Sequence, residues 1–215
     1  MVVTLTQVKI CGITNVDDAL AAIEYGADML GFIGVPESPR FVTPAQFLEI
    51  AAALPPSYPT VIVVNLPEDG VKYPAKLIQH YNESVDDNPQ PGPVDQRRIR
   101  AFRIKNESSL EQLRTYTGPV HAVLLDTYSP TVLGGSGHTF PWDLAVKAKT
   151  LTQFPTVLAG GLTPKNVADA VAGVRPFAVD VSTGVEASPG IKDLAKVKAF
   201  INAVRAQDRL LLDIS

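Results

Sequence analysis

Residues Thr156–Gly184 read TVLAGGLTPKNVADAVAGVRPFAVDVSTG, and this stretch decides the fold. Thr156–Ala159 is a short apolar run that ends on Gly160-Gly161. Thr163-Pro164 then opens a helix, a hydroxyl cap followed by proline at the first helical position. Its Val167, Ala170 and Val171 point one way. Phe177–Val181 is a second apolar run, and it ends on Ser182-Thr183-Gly184. Neither run alternates with polar residues, so both faces of each strand are buried. That pattern belongs to parallel strands joined by a crossover helix.

The same alternation extends in both directions. Towards the C-terminus a helix begins near Ile191, with Leu194, Val197, Ile201 and Val204 on one stripe. Towards the N-terminus come a helix at Pro141–Thr150, a strand at Val120–Leu125 that ends on Asp126, a helix at Ser108–Tyr116 and a strand at Ile99–Ile104. The first half holds strands at Val8–Cys11, Met29–Ile33 and Thr60–Val64. Thr14 or Asn15 caps a helix carrying Val16, Ala19, Leu20 and Ile23, which Gly26 stops. Thr43-Pro44 opens another, with Phe47, Leu48 and Ala51 on one face. An eighth strand is required between Val64 and Ile99, and Leu77–Tyr81 is the sole candidate. Eight strand–helix units make a (β/α)₈ TIM barrel, one domain over residues 1–215. An open doubly wound sheet is the rival. No Gly-x-Gly-x-x-Gly fingerprint follows the first strand, which favours the barrel.

Residues 65–98 depart from the pattern. They contain five prolines, Pro67, Pro74, Pro89, Pro91 and Pro93. From Asn82 to Arg98 the aliphatic side chains are Val85 and Val94, so no amphipathic stripe can form there. One or both outer helices between the third and fifth strands are therefore predicted to be reduced or missing, with Ser84–Pro93 an irregular, mobile loop. The outer faces of those strands would then form an exposed apolar patch, covered in a homodimer or left at a cost in stability.

Composition narrows the function. Of 215 residues, 46% are hydrophobic and 19% charged, which is globular rather than disordered. A net charge of −3 disfavours a nucleic-acid surface. The single cysteine, Cys11, excludes an intramolecular disulfide and a cysteine-based zinc cage. No apolar run approaches the roughly 18 residues of a membrane span. No basic region precedes an apolar stretch at the start, so a cytoplasmic protein is expected.

Barrel chemistry sits beyond the C-terminal ends of the strands. There the sequence places Cys11, Arg40, Asp126, Gly160-Gly161 and Ser182-Thr183-Gly184. Cys11 is either a buried small hydrophobe or, as a thiolate, a general base. Asp126 either bonds its own loop or, in an apolar pocket, holds a proton as a general acid. The two glycine-bearing loops after the seventh and eighth strands suit a phosphate. Arg40, in Pro36-Glu37-Ser38-Pro39-Arg40, suits a carboxylate. His80, His121 and His138 show no metal spacing, and His121 reads as mid-strand packing.

These residues lie in stretches that resemble the phosphoribosylanthranilate isomerase family of tryptophan biosynthesis. The stretches are Lys9-Ile10-Cys11-Gly12-Ile13-Thr14, Gly26-Ala27-Asp28 with Gly31-Phe32, Ser38-Pro39-Arg40-Phe41-Val42 and Leu125-Asp126-Thr127-Tyr128. They continue with Gly134-Gly135-Ser136-Gly137, Thr139-Phe140 and Trp142, then Leu158–Pro164, then Val179–Glu186. The resemblance spans residues 8–64 and about 99–205. It implies a TIM barrel without metal or cofactor that converts N-(5-phosphoribosyl)anthranilate by an Amadori rearrangement. It implies Asp126 as general acid, Cys11 as general base, Arg40 on the anthranilate carboxylate, and Gly160, Gly161, Ser182, Thr183 and Gly184 on the phosphate. Three sites depart from the family pattern. Gly34-Val35 replace aromatic residues and would loosen the anthranilate pocket. His138 replaces a lysine. Ile78-Gln79-His80-Tyr81 stands where Gln-Leu-His-Gly is usual. Another sugar-phosphate isomerase or epimerase, or a degenerate barrel that binds a phosphorylated ligand or a partner without turnover, are the alternatives.

Overall fold

The computed structural model describes residues 5–81, 97–126 and 142–213. Strands β1 (Gln7–Ile10), β2 (Met29–Ile33), β3 (Thr60–Val64), β4 (Leu77–His80), β5 (Arg97–Arg103), β6 (Ala122–Asp126), β7 (Thr156–Ala159) and β8 (Ala178–Val181) form a closed barrel in chain order. Each lies parallel to the next, and β8 closes on β1 with Gln7 opposite Ala178 and Ile10 opposite Val181. The TIM barrel read from the sequence is therefore the fold, and the eighth strand is where Leu77–Tyr81 placed it.

Successive side chains alternate across the barrel wall. Met29, Val61, Leu77, Ile99, Ala101, Ala122, Leu124, Val157, Ala159 and Ala178 pack together in the interior. Val8, Ile10, Leu30, Phe32, Ile62, Val123, Leu125, Leu158 and Val179 face the helices. The interior also holds charge. The Lys9 ammonium donates to Gln79 Oε1 and to Asp180 Oδ2, each at 3.0 Å, and all three side chains are buried.

The outer layer comprises α1 (Val16–Glu24), α2 (Pro44–Ala52), α3 (Pro67–Gly70), α4 (Leu110–Thr115), α5 (Trp142–Thr150), α6 (Val167–Val174) and α7 (Leu194–Asp213). Asn15 caps α1 by accepting from Asp18 N, while the Thr14 hydroxyl donates instead to Gly190 O. Thr43 and Gln46 form a reciprocal capping box on α2, with Pro44 at its first turn. The inward faces differ in detail from the sequence reading. Leu20 and Leu48 are exposed, and Ala19, Ala22, Phe47 and Ile50 are buried. The stripe on these short helices is narrow, so α1 packs through small residues and α2 through Phe47 and Ile50. A turn at Thr163–Asn166 delays α6 to Val167. His121 is exposed just ahead of β6 rather than packed within a strand.

The flank after β3 is shortened as expected, since α3 has four residues. The outer strand faces expected to form an apolar patch are covered at the described residues, although Leu66 and Val71 at the two ends of α3 are exposed. Ile62, Val64, Ile78 and Phe102 are all buried. Gly70 lets α3 lie directly on β4, where a Cβ would stand 2.8 Å from Ile78. Tyr73 fills the neighbouring space, edge-on to Phe47 at 5.8 Å, with its hydroxyl donating to Val42 O. The reason given for self-association therefore does not hold at these residues. Ser84–Pro93 lies outside the described residues.

The sequence also missed a hairpin. After β8 a 3₁₀ turn at Thr183–Val185 leads into β9 (Glu186–Ser188), which pairs antiparallel with β10 (Ile191–Lys192). Hence α7 starts at Leu194, three residues later than the sequence indicated. Among the described residues no helix is long and apolar enough to cross a membrane.

Candidate active site

Every described strand-end residue singled out from the sequence lies at the same mouth of the barrel. Cys11 follows β1 directly and points inward, two residues beyond Lys9. Its amide donates to Val181 O at 2.8 Å, and its carbonyl accepts from the buried Lys192 ammonium at 2.6 Å. The main chain is thus fixed on both sides. Gly31 of β2 makes room for the thiol, since a Cβ there would stand 2.7 Å from Cys11 Sγ and 3.0 Å from Lys9 Cε. Burial pushes the thiol up, and the adjacent Lys9 ammonium pulls it back.

Asp126 is the last residue of β6 and also points inward. Burial pushes its carboxyl above the usual range; the Tyr81 hydroxyl and Arg103 act the other way, and Asp180 adds to the rise. An acid so placed keeps its proton to higher pH than an exposed aspartate.

Arg40 reaches over the end of β1. Gly12 there has φ +77, and a Cβ on it would stand 2.8 Å from both Arg40 Cδ and Ser182 Oγ. Only glycine suits that backbone and that approach. Arg40 donates from Nε and Nη2 to the two carboxylate oxygens of Glu186, at 2.8 and 2.6 Å. Lys192 holds the same carboxylate from the other side at 2.9 Å. Burial alone would raise Glu186, but these donors outweigh it and keep the carboxyl below its ordinary range. Arg40 is therefore held in a fixed fork with one edge against Glu186, and its Nη2 also lies 3.4 Å from Thr183 Oγ1.

The loops after β7 and β8 interlock. A Cβ on Gly184 would stand 1.9 Å from the carbonyl oxygen of Leu162, so the second loop lies directly on the first. Gly160 and Gly161 have φ +90 and +63, and nothing stands within 4 Å of a Cβ on Gly161. The Ser182 hydroxyl oxygen is buried with no hydrogen-bond partner among the described residues. A buried, unanswered hydroxyl at this mouth suits an incoming anion. Among the described residues no cluster of His, Cys, Asp or Glu is arranged as metal ligands.

Sequence reading missed Glu186, Lys192, Lys9, Asp180 and Tyr81 as parts of this mouth. The inward alternation of β1 and β8 could have signalled Lys9 and Asp180. Gly34 faces away from the mouth, with a Cβ site 3.1–3.2 Å from Tyr73, Val64 and Ile62, so its small size alters the helix layer and not the pocket. His138 lies outside the described residues.

Residues 8–203 match the family model for N-(5'-phosphoribosyl)anthranilate isomerase. The chain belongs to that family. The isomerase of Geobacter sulfurreducens is 49% identical over 208 residues, covering 94% of this chain and 99% of that one. The Thermotoga maritima isomerase has a TM-score of 0.82 at 38% identity, covering 94% of this chain and all of that one. A further isomerase, solved in complex with reduced 1-(o-carboxyphenylamino)-1-deoxyribulose 5-phosphate, has a TM-score of 0.79 at 34% identity over the same shares. A related structure concerns monomers made from the dimeric Thermotoga maritima enzyme.

Proposed function

We propose that this isomerase converts N-(5-phosphoribosyl)anthranilate to 1-(2-carboxyphenylamino)-1-deoxyribulose 5-phosphate, with Asp126 as acid and Cys11 as base. The carrying observation is one mouth that unites a buried, proton-retaining carboxyl and a thiol beside an ammonium. Asp126 protonates the furanose ring oxygen, the C1′–O bond breaks, and the amine nitrogen supplies the electron pair that forms the Schiff base. Cys11 takes the C2′ proton, giving an enolamine. Protonation at C1′ and loss of the enol proton leave the ketone. Each step is a proton transfer that positioned side chains can supply, and each such group contributes roughly 10²–10⁴-fold.

The two ends of the substrate match the two ends of the mouth. The anthranilate carboxylate goes to the Arg40 guanidinium, as a charge-assisted pair. The phosphate goes to Gly160, Gly161, Ser182, Thr183 and Gly184. Ligands of the same two-ended kind, a carboxyphenyl group and a sugar phosphate, are named for a relative at 34% identity. The protein is placed in the cytoplasm, as a homodimer or a monomer. The test is complementation of a bacterial strain lacking this step of tryptophan synthesis. The wild-type chain restores growth, and Cys11→Ser and Asp126→Asn do not. Failure of the wild-type chain, or growth with either variant, contradicts the reading.

A further inference from the structure

We propose that Tyr81 is a positioning residue for the acid Asp126: its hydroxyl, donated to Oδ2, leaves the transferable proton on Oδ1. This rests on the acid role given to Asp126 above. Tyr81 follows β4 and points into the mouth, and its hydroxyl lies 3.3 Å from Asp126 Oδ2. That distance is long for an O–H···O bond, as is common before a ligand closes a site. The ring is held in place by Arg103 of β5, whose guanidinium lies 5.2 Å from the ring centre. Arg103 is also the neighbour of Asp126 in the β5–β6 ladder.

A protonated carboxyl has one oxygen that carries the proton and one that only accepts. The oxygen that accepts from Tyr81 is the unprotonated one, so the proton is directed to the other. When Asp126 gives up that proton, the same hydroxyl remains bonded to the carboxylate and stabilises it. Tyr81 cannot easily release its own proton, because burial and the neighbouring Asp126 push its ionisation up. It acts as a fixed donor rather than a second acid. The groups facing Asp126 are Tyr81 from β4, Arg103 from β5 and Asp180 from β8. Tyr81 in turn senses Asp126, Asp180 and Cys11.

The active enzyme has Asp126 protonated and Cys11 ionised; a carboxyl titrates below a thiol, so this is the minor protonation form, and the acid limb of the kcat/KM profile breaks at Asp126 and the alkaline limb at Cys11. Tyr81→Phe keeps the ring under Arg103 and removes only the donor. The acid limb then moves to higher pH, because the carboxylate has lost a stabilising bond. The value of kcat falls about tenfold, the lower range for one hydrogen bond to a charged group. KM stays near wild type. In an Asp126→Asn background the Tyr81→Phe change has no further effect on residual turnover. An unmoved acid limb in Tyr81→Phe, or an equal loss in both backgrounds, overturns the proposal. Thermal melts of each variant separate these outcomes from a folding defect, since a purely structural role lowers Tm without moving the limb. If wild type lacks turnover, or Asp126→Asn retains it, the acid assignment itself is what fails.

Discussion

Burial acts on Cys11 and Asp126 in the same direction, raising both. For an acid that is help, and for a base it is hindrance. On the Cys11 side the Lys9 ammonium opposes the rise without cancelling it, and Asp180 and Gln79 keep that ammonium in place. The carboxylate end of the mouth uses a similar device, in which Glu186 fixes Arg40 before any ligand arrives. Arg40→Ala should raise KM by about 10–100-fold, the range for one lost charge-assisted pair, with kcat far less affected. Glu186→Gln keeps the shape but weakens the fork, and KM should rise by roughly 3–10-fold. Steady-state kinetics on both variants check this, and an unchanged KM in Glu186→Gln would show that Arg40 needs no support. Arg40 was legible in the sequence because two prolines stiffen its loop near a strand end. Glu186 was not, because its partner is 146 residues away and no local pattern encodes a contact between loops.

At the level of elements, strands were the clearest feature of the sequence. Runs of four or five apolar residues bounded by glycine or proline leave little choice of conformation. The prolines of residues 65–98 likewise announced a shortened α3. The β9–β10 hairpin was hidden because strands of three and two residues carry no periodicity. What covers the flank was hidden too, since Gly70 and Tyr73 act through close approach. The interlocked loops after β7 and β8 offer a test at this scale. Gly184→Ala puts a Cβ onto the Leu162 carbonyl and must push the loops apart. It should lower Tm and raise KM at least about tenfold, because a misplacement near 1 Å is enough to spoil binding geometry. Gly161→Ala meets no protein atom and costs the fold only the strain of its positive φ, about 1–2 kcal/mol. Melting curves for the pair check the contrast in stability; an equal loss of Tm would mean that the loops do not depend on contact at Gly184.

The whole molecule is held closed at its base as well as paired around its wall. Asp208, near the end of α7, accepts from the Thr6 amide and hydroxyl at 3.0 and 2.7 Å. Arg205, one turn earlier, donates to Thr6 O and to Asp28. The last helix therefore clamps the first strand. Stability of this barrel should depend on pH through His80, which is buried on the outer face of β4. Burial, with Arg100 and Arg98 nearby, lowers its pKa from 6.5 to about 4. The unfolded chain takes up the proton more readily, so the neutral imidazole's contribution is complete above about pH 6.5 and is lost as pH falls towards 4. Its full size is about 2–4 kcal/mol. Urea unfolding at pH 7.5 and pH 5 should show wild type losing about 2 kcal/mol more than His80→Leu over that interval. Equal losses would mean that His80 is not buried as a neutral group.

The account stands on proton transfer by two residues from strands on different sides of one barrel. The most direct test is the turnover of N-(5-phosphoribosyl)anthranilate by wild type, Cys11→Ala and Asp126→Ala. The expected result is a fall in kcat of at least about 10²-fold in each variant with KM little changed, as for groups that act only in the transition state. Wild-type turnover in either variant, or a loss carried by KM alone, would contradict it.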